Sequence, residues 1–148
     1  MKTRLFTVVA ALGLLACNSK PGPERTTPAE FGEVSFSPAV IRADADVTVE
    51  ASVTSRYGFS RVDIVYWLDD DESDVRAVSP YPFPTAPTAA EASLSYSGKI
   101  PGQKAGRKVT FRVRAITFYN VPSYSQPREY TVPAAGEEQP EQPNLTKK

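Results

Sequence analysis

The stretch at residues 47–55 reads VTVEASVTS, and it decides the class of fold. Val47, Val49, Ala51 and Val53 stand at every second position, with threonine, glutamate or serine between them. A period of two is that of a β-strand with one apolar and one polar face. The stretch therefore predicts a strand that covers a core on one side.

The same alternation recurs on both sides of this stretch. Clear repeats occupy residues 62–68, 94–100 and 109–115, and shorter candidates are 34–36, 75–78 and 124–132. Turn-forming residues separate them at 56–58, 69–73, 101–102 and 120–122. About seven short antiparallel strands at this spacing predict an all-β fold, a single β-sandwich.

The first residues carry the pattern of an export signal. Lys2 and Arg4 precede an uninterrupted apolar run at residues 5–16. This run is too short to span about 30 Å of hydrocarbon as a helix. We therefore expect a signal peptide at 1–16 rather than a permanent transmembrane helix.

Cys17 is the only cysteine of the chain and directly follows that run. The sequence LLAC at 14–17 resembles the lipobox of bacterial lipoproteins. The resemblance implies cleavage before Cys17, a diacylglycerol on its sulfur and an acyl chain such as palmitate on the new amino terminus. Two or three such chains anchor stably, because each buried methylene contributes about 0.8 kcal/mol. The alternative is an ordinary secretory signal with a chance cysteine.

The residue after the cysteine sets an expectation for the membrane. In the lipoprotein sorting rule an aspartate there retains the protein at the inner membrane, so Asn18 implies the outer membrane of the bacterial envelope.

Composition divides the exported chain into three parts. Residues 17–30 are predicted to be a flexible tether, 31–133 the sandwich domain and 134–148 a disordered tail rich in proline, glutamate and glutamine.

Three stretches of the domain resemble the immunoglobulin-like, fibronectin-type-III-like modules of bacterial secreted and lipid-anchored proteins. They are VTVEASVTS at 47–55, SRVDIVYWLDD at 60–70 and SYSGKIPGQKAGRKVTFRVRAIT at 95–117. The resemblance covers residues 33–132 and implies that the joint IPGQKAG at 100–106 connects strands E and F. Such modules serve as spacers, adhesive units and glycan-binding units, so the fold leaves function open.

The joint also has a physical interpretation. We expect Ile100 to point into the core and Pro101 to end strand pairing, because proline has no N–H to donate. Gly102 and Gly106 would supply turn conformations that other residues resist, and the next strand would start at Lys108.

Charge and composition exclude several classes of function. The sequence has 17 basic and 17 acidic residues, and loss of residues 1–16 would remove two basic ones, Lys2 and Arg4. Without a basic surplus we expect no nucleic-acid partner. The sequence has no histidine, no second cysteine and no nucleophile-elbow motif, so we expect neither enzymatic activity nor a cofactor.

Two loops carry paired aromatic residues. Tyr57 and Phe59 follow the second predicted strand, and Phe118 and Tyr119 follow the sixth. In a seven-stranded sandwich these loops lie at the same end, where the rings would stack on sugars or anchor a protein partner. The alternative is that Phe59 plugs the core and Phe118 packs at the end of its strand.

The segment SPYPFP at 79–84 has proline at alternate positions, which forces an extended backbone without ladder donors. We expect this segment to cover a sheet edge and prevent edge-to-edge aggregation. The alternative is that it presents Tyr81 and Phe83 to a ligand.

Charged residues supply two further candidates. Asp69, Asp70 and Asp71 could offer oxygens to calcium, but the EF-hand pattern is absent and a solvated hairpin loop is the ordinary interpretation. Arg112 and Arg114 lie on the polar face of their predicted strand. Surface ion pairs are expected there, and they contribute little to stability.

These observations lead to one function hypothesis and one alternative. The first is a non-enzymatic, lipid-anchored envelope protein whose immunoglobulin-like domain serves as a protein-interaction or structural module. The alternative is a glycan-binding lipoprotein that uses the aromatic loop residues.

Overall fold

The computed structural model describes residues 25–83 and 87–134. The predicted signal peptide at 1–16, Cys17 and the tether up to residue 24 lie outside the described residues. So does the predicted tail from residue 135 onward, as do residues 84–86.

The described residues form two antiparallel sheets that enclose one core. The eight strands are β1 (Glu30–Ser37), β2 (Val47–Ser55), β3 (Phe59–Leu68), β4 (Arg76–Val78), β5 (Ala92–Ile100), β6 (Lys108–Thr117), β7 (Pro122–Tyr124) and β8 (Arg128–Thr131). One sheet has the order β1-β2-β5, and the other the order β4-β3-β6-β7 with β8 also paired to β6. This part of the chain has no helix that could cross a membrane. The predicted all-β sandwich of antiparallel strands is confirmed.

The predicted last strand at 124–132 is divided into β7 and β8. β7 pairs with the end of β6, and β8 pairs with its beginning. Between them the Ser125 N–H donates to the Val113 carbonyl at 2.9 Å, and the Val113 N–H donates to Ser125 Oγ at 3.0 Å. The Ser125 hydroxyl thus takes the place of a backbone carbonyl in the hydrogen-bond ladder with β6. Because the predicted last strand is divided here, the domain has eight strands where the sequence predicts seven.

The core is built from alternate side chains of both sheets. Its fully buried members include Val49 and Val53 of β2, Ile64 of β3, and Phe111 and Val113 of β6. Burying an aliphatic or aromatic side chain of this size contributes about 1.5–3 kcal/mol. The apolar positions of the sequence therefore determine which side of each strand faces the other sheet.

The joint between β5 and β6 agrees with most of what the sequence predicts. Ile100 is buried, and β6 begins at Lys108. Gly106 has a φ of 81°, a conformation that favours glycine. Gly102 is required for a different reason from the one predicted, because a Cβ there would lie 2.3 Å from the carbonyl carbon of Asp44.

The segment after β4 covers two sheet edges. Ser79 Oγ donates to the Lys99 carbonyl and accepts from the Lys99 N–H, both at 2.9 Å. Two residues later the Tyr81 N–H donates to the Val62 carbonyl at 2.7 Å. The segment therefore bonds to β5 of one sheet and to β3 of the other, which is the edge cover that its prolines predict.

On the side of the sandwich opposite the segment after β4, side-chain hydrogen bonds join the region of β1 to β7 and β8. The Ala29 N–H donates to Ser123 Oγ at 3.1 Å, and Arg128 Nη2 donates to the Val34 carbonyl at 3.0 Å. Ala29 is buried in the core cluster, so packing begins slightly before the domain boundary expected at residue 31.

Candidate functional site

The larger sheet has an unusual solvent side. In β3 and β6 every second side chain points away from the core, and register pairs these residues across the two strands. We call this surface the outer face, and its residues are Asp63, Val65, Trp67, Thr110, Arg112 and Arg114.

Two apolar residues of the outer face are buried without belonging to the core. Val65 is 4% exposed and Trp67 is 7% exposed, yet neither is part of the core cluster between the sheets. Neighbouring residues border them and leave a depression of about 210 Å³. The lining residues are Val65, Trp67, Glu72, Val75, Arg112, Arg114 and Tyr124.

The outer face also holds a buried carboxylate. Asp63 is fully buried and takes two hydrogen bonds from Arg114, Nε to Oδ1 at 2.8 Å and Nη2 to Oδ2 at 2.6 Å. Arg61 Nε adds a bond to Oδ2 at 2.5 Å. The bond to Asp63 raises the pKa of the Arg114 guanidinium. The expectation of a surface ion pair is therefore wrong for Arg114, because its partner is removed from solvent.

Arg112 has a different environment, although it lies only two positions earlier on the same strand. Its guanidinium carbon is 5.6 Å from the centre of the Trp67 ring, within cation–π range. It forms no ion pair with any residue that the structure describes, so the expected surface ion pair is not found here either. Its Nε is buried, and so is Thr110 Oγ1; both atoms lack a hydrogen-bond partner among the described residues.

The two aromatic loops meet at one end of the sandwich, as the topology predicts. The Tyr57 and Tyr119 ring centres are 5.3 Å apart at 78°, and those of Phe118 and Tyr119 are 5.2 Å apart at 85°. Arg25 lies over the Tyr119 ring at 4.9 Å. Tyr57 is 8% exposed and Phe118 is 40% exposed. Because these rings are nearly perpendicular, they do not form one flat platform.

Three aromatic residues predicted as ligand contacts pack within the domain instead. Phe59 is the first residue of β3 rather than a loop residue, and it is buried in the core. Phe83 stacks on Phe59 at 6.5 Å, and Tyr81 meets Phe83 edge-on at 4.8 Å. Phe59 thus occupies the core, which is the alternative given for it from the sequence, whereas Tyr81 and Phe83 are partly buried against the core.

The acidic loop after β3 has its carboxylates occupied by the protein's own donors. Asp69 accepts from the Lys108 N–H at 3.0 Å, and Asp70 pairs with Lys108 Nζ at 3.0 Å. Hydrogen bonds from the hydroxyl and N–H of Ser73 lower the pKa of Asp71. Within residues 25–83 and 87–134 no group of three or more acidic side chains is arranged to hold a metal ion.

From the sequence, Arg112 and Arg114 of the outer face are expected only to form surface ion pairs, and the depression beside them is not predicted. The signal was present, because Val65 and Trp67 occupy positions of β3 that would be polar in a strand with one solvated side. The burial of Asp63 had no such signal, since its arginine partner is 51 residues away in the sequence.

Comparisons with known proteins give a distant likeness. The chain matches no family model and no curated protein. Similar solved structures include the sensor domain of the anti-sigma factor RsgI4 of Pseudobacteroides cellulosolvens. Its solution structure is 17% identical, with 78% of this chain and 91% of that chain covered and a TM-score of 0.47. A longer form of the same domain is 18% identical, with 73% and 95% covered and a TM-score of 0.45. Likenesses at this level carry no argument about function.

Proposed function

We propose that this chain is a non-enzymatic envelope lipoprotein whose immunoglobulin-like, fibronectin-type-III-like domain binds a protein partner through the outer face. The observation that carries the proposal is the pair Val65 and Trp67, which are buried on the solvent side of a sheet. Val75 and Tyr124 border them and are 52% and 48% exposed. Aromatic and arginine side chains beside an apolar depression are typical of protein-binding surfaces.

The other sheet supports this choice by contrast. Its outward positions carry small polar residues, among them Ser52 of β2 and Ser95 and Ser97 of β5. Serine is depleted in protein interfaces relative to the rest of the surface. The two faces of the sandwich therefore differ in chemistry, and the face with Trp67 is the one suited to binding.

Site-specific photo-crosslinking in the producing cells tests this proposal. A photoreactive amino acid at position 124 or 75 should yield one discrete crosslinked product with an envelope protein. The same amino acid at position 95 or 97 should yield none. Crosslinks from 95 and 97 with none from 124 and 75 would place the interface on the wrong sheet and overturn the proposal.

The membrane anchor is a second part of the proposal, and it is supported by the residues around Cys17 alone. The apolar run, the LLAC sequence and Asn18 together favour a lipid on Cys17 and the outer membrane. Cys17→Ser should shift the protein from the detergent-extracted membrane fraction to the soluble fraction. Continued membrane residence of that variant would contradict lipidation.

Glycan binding at the aromatic loop end is the second candidate function. It is favoured by the exposed Phe118 ring and by Arg25 over the Tyr119 ring. In an affinity gel, soluble polysaccharide would retard the domain, and Tyr57→Ala with Tyr119→Ala would abolish the retardation. If the domain binds its partner through the outer face and binds no glycan, polysaccharide should retard neither the wild-type domain nor the double variant.

A further inference from the structure

Arg112 carries a positive charge that the outer face does not neutralise. Arg61 and Arg114 both bind the Asp63 carboxylate, whereas Arg112 has no ion pair with any described residue. Glu72 borders the same depression, yet no ion pair joins it to Arg112 within the described part of the chain. A partly buried cation without a counter-charge favours a negatively charged partner.

Two orphaned polar atoms give independent support. Arg112 Nε and Thr110 Oγ1 are both shielded from solvent and lack hydrogen-bond partners among the described residues. Both belong to outward positions of β6, next to Trp67. Buried polar atoms in proteins nearly always have a partner. The Arg112 Nε–H can only donate and so requires an acceptor, whereas the Thr110 hydroxyl can accept or donate.

Apolar side chains lie beside Arg112, although Glu72 and Arg114 also border the depression. Val65 and Trp67 line the depression, and the half-exposed side chains of Val75 and Tyr124 border it. A ligand that satisfied only the charge would leave the half-exposed side chains of Val75 and Tyr124 in water. The surface therefore suits a group that carries a carboxylate with apolar side chains beside it.

We propose that the partner presents an aspartate or glutamate flanked by apolar side chains, and that its carboxylate accepts hydrogen bonds from the Arg112 guanidinium. The flanking side chains pack against Val75 and Tyr124. This inference rests on the proposed function, because it names the chemistry of the partner at the same face. A charge-assisted bond to a planar guanidinium is stronger and more selective than one between neutral groups.

Trp67 supplies the means of testing the inference. It is the only tryptophan in the sequence, and the Arg112 guanidinium lies over its ring. The full-length protein in detergent would be titrated with a short peptide that has a glutamate between two leucines, and with its glutamine counterpart. The glutamate peptide should change the tryptophan emission and bind about tenfold more tightly than the glutamine peptide.

Matched variants identify the residue responsible. Arg112→Gln should reduce the affinity for the glutamate peptide about tenfold and leave the weak affinity for the glutamine peptide unchanged. Lys99→Gln removes the same charge from the outward side of β5 and should have no effect. Arg112→Lys should bind with intermediate affinity, since it keeps the charge but loses the planar fork.

The outcomes separate this inference from the proposed function. Equal affinity for the two peptides, no binding of the glutamate peptide at millimolar concentration, or an unchanged affinity in Arg112→Gln would each overturn the carboxylate inference. If position 124 still crosslinks to an envelope protein in that case, the proposed function stands. If positions 124 and 75 fail to crosslink while 95 and 97 succeed, the proposed function itself fails.

Discussion

The Arg114 guanidinium donates two hydrogen bonds, of 2.8 and 2.6 Å, to the fully buried carboxylate of Asp63. The two residues lie directly opposite each other on β6 and β3. Arg112 occupies the next outward position of β6 and has no such partner among the described residues. Two arginines on one strand therefore differ in environment, because Arg114 is paired within the fold and Arg112 has no counter-charge among the described residues.

Arg114→Met should destabilise the domain by about 3 kcal/mol, because it leaves a buried carboxylate with only Arg61 as counter-charge. Urea denaturation followed by tryptophan fluorescence measures the change. Combining Arg114→Met with Asp63→Asn should recover part of the loss, since the unpaired charge is removed as well. Stability within 0.5 kcal/mol of the wild type, a change of the size typical of surface sites, would contradict this role.

Arg112→Met should leave the free energy of unfolding unchanged or raise it by up to about 1 kcal/mol. The substitution removes a buried donor without an acceptor, and this gain offsets the loss of the cation–π contact with Trp67. The same urea experiment measures it beside Arg114→Met. A clear loss of stability would show that Arg112 serves the fold, and would weaken the case for a binding role.

Two buried tyrosines should make the domain sensitive to alkali. Burial, with a smaller effect of the Asp63 charge, raises the pKa of Tyr96 above its ordinary value of 10.0, and burial together with Tyr66 does the same for Tyr130. A raised folded-state pKa gives stability that is complete below the unfolded pKa and is lost as the pH rises above it. For each of these tyrosines, the free energy of unfolding should fall by about 1.4 kcal/mol per pH unit above pH 10.

Denaturation midpoints between pH 8 and 11.5 test this sensitivity. The wild type should lose stability steeply above pH 10, and Tyr130→Phe should lose it less steeply because one ionising group is gone. Tyr130 is the better position, since the Tyr96 hydroxyl also donates to the Ser79 carbonyl at 2.6 Å. If the denaturation midpoint falls with pH equally in the wild type and in Tyr130→Phe, ionisation of Tyr130 does not destabilise the domain.

Ser79→Ala should cost about 1–2 kcal/mol, because it removes both hydrogen bonds from the Ser79 hydroxyl to the backbone of Lys99. It should also increase self-association, since the edge of β5 becomes available for pairing. Thermal denaturation and light scattering measure the two effects. Ser95→Ala, on the exposed side of the same strand, is the control and should change neither. Equal behaviour of the two variants would contradict the edge cover.

The sequence predicted the strands well because the same apolar positions create both the strand and its buried face. Alternation located β2, β3, β5 and β6 and placed Ile100 in the core. The division of the last strand could not be predicted, because the role of the Ser125 hydroxyl depends on its contact with Val113. The pattern predicts a loop at Phe59, whereas the strand begins at this residue, earlier than the apolar alternation shows.

The candidate site was harder to predict for a physical reason. Arginine, aspartate and threonine at alternate positions are typical of a solvated face, and only contacts across strands show that Asp63 is buried and that Arg112 lacks a partner. Val65 and Trp67 are the residues of β3 that depart from that pattern. The sequence favours the aromatic loop residues instead, because loops usually carry binding residues on sandwich folds.

Paired aspartate substitutions on each side of the sandwich test the central claim most directly. Val75→Asp with Tyr124→Asp changes two exposed residues that border the outer face, and Ser95→Asp with Ser97→Asp changes two exposed residues of the other sheet. The measurement is the affinity for the envelope protein that crosslinks from position 124. We expect at least about tenfold weaker binding for the first pair and no change for the second. Weaker binding for the serine pair alone would contradict the account.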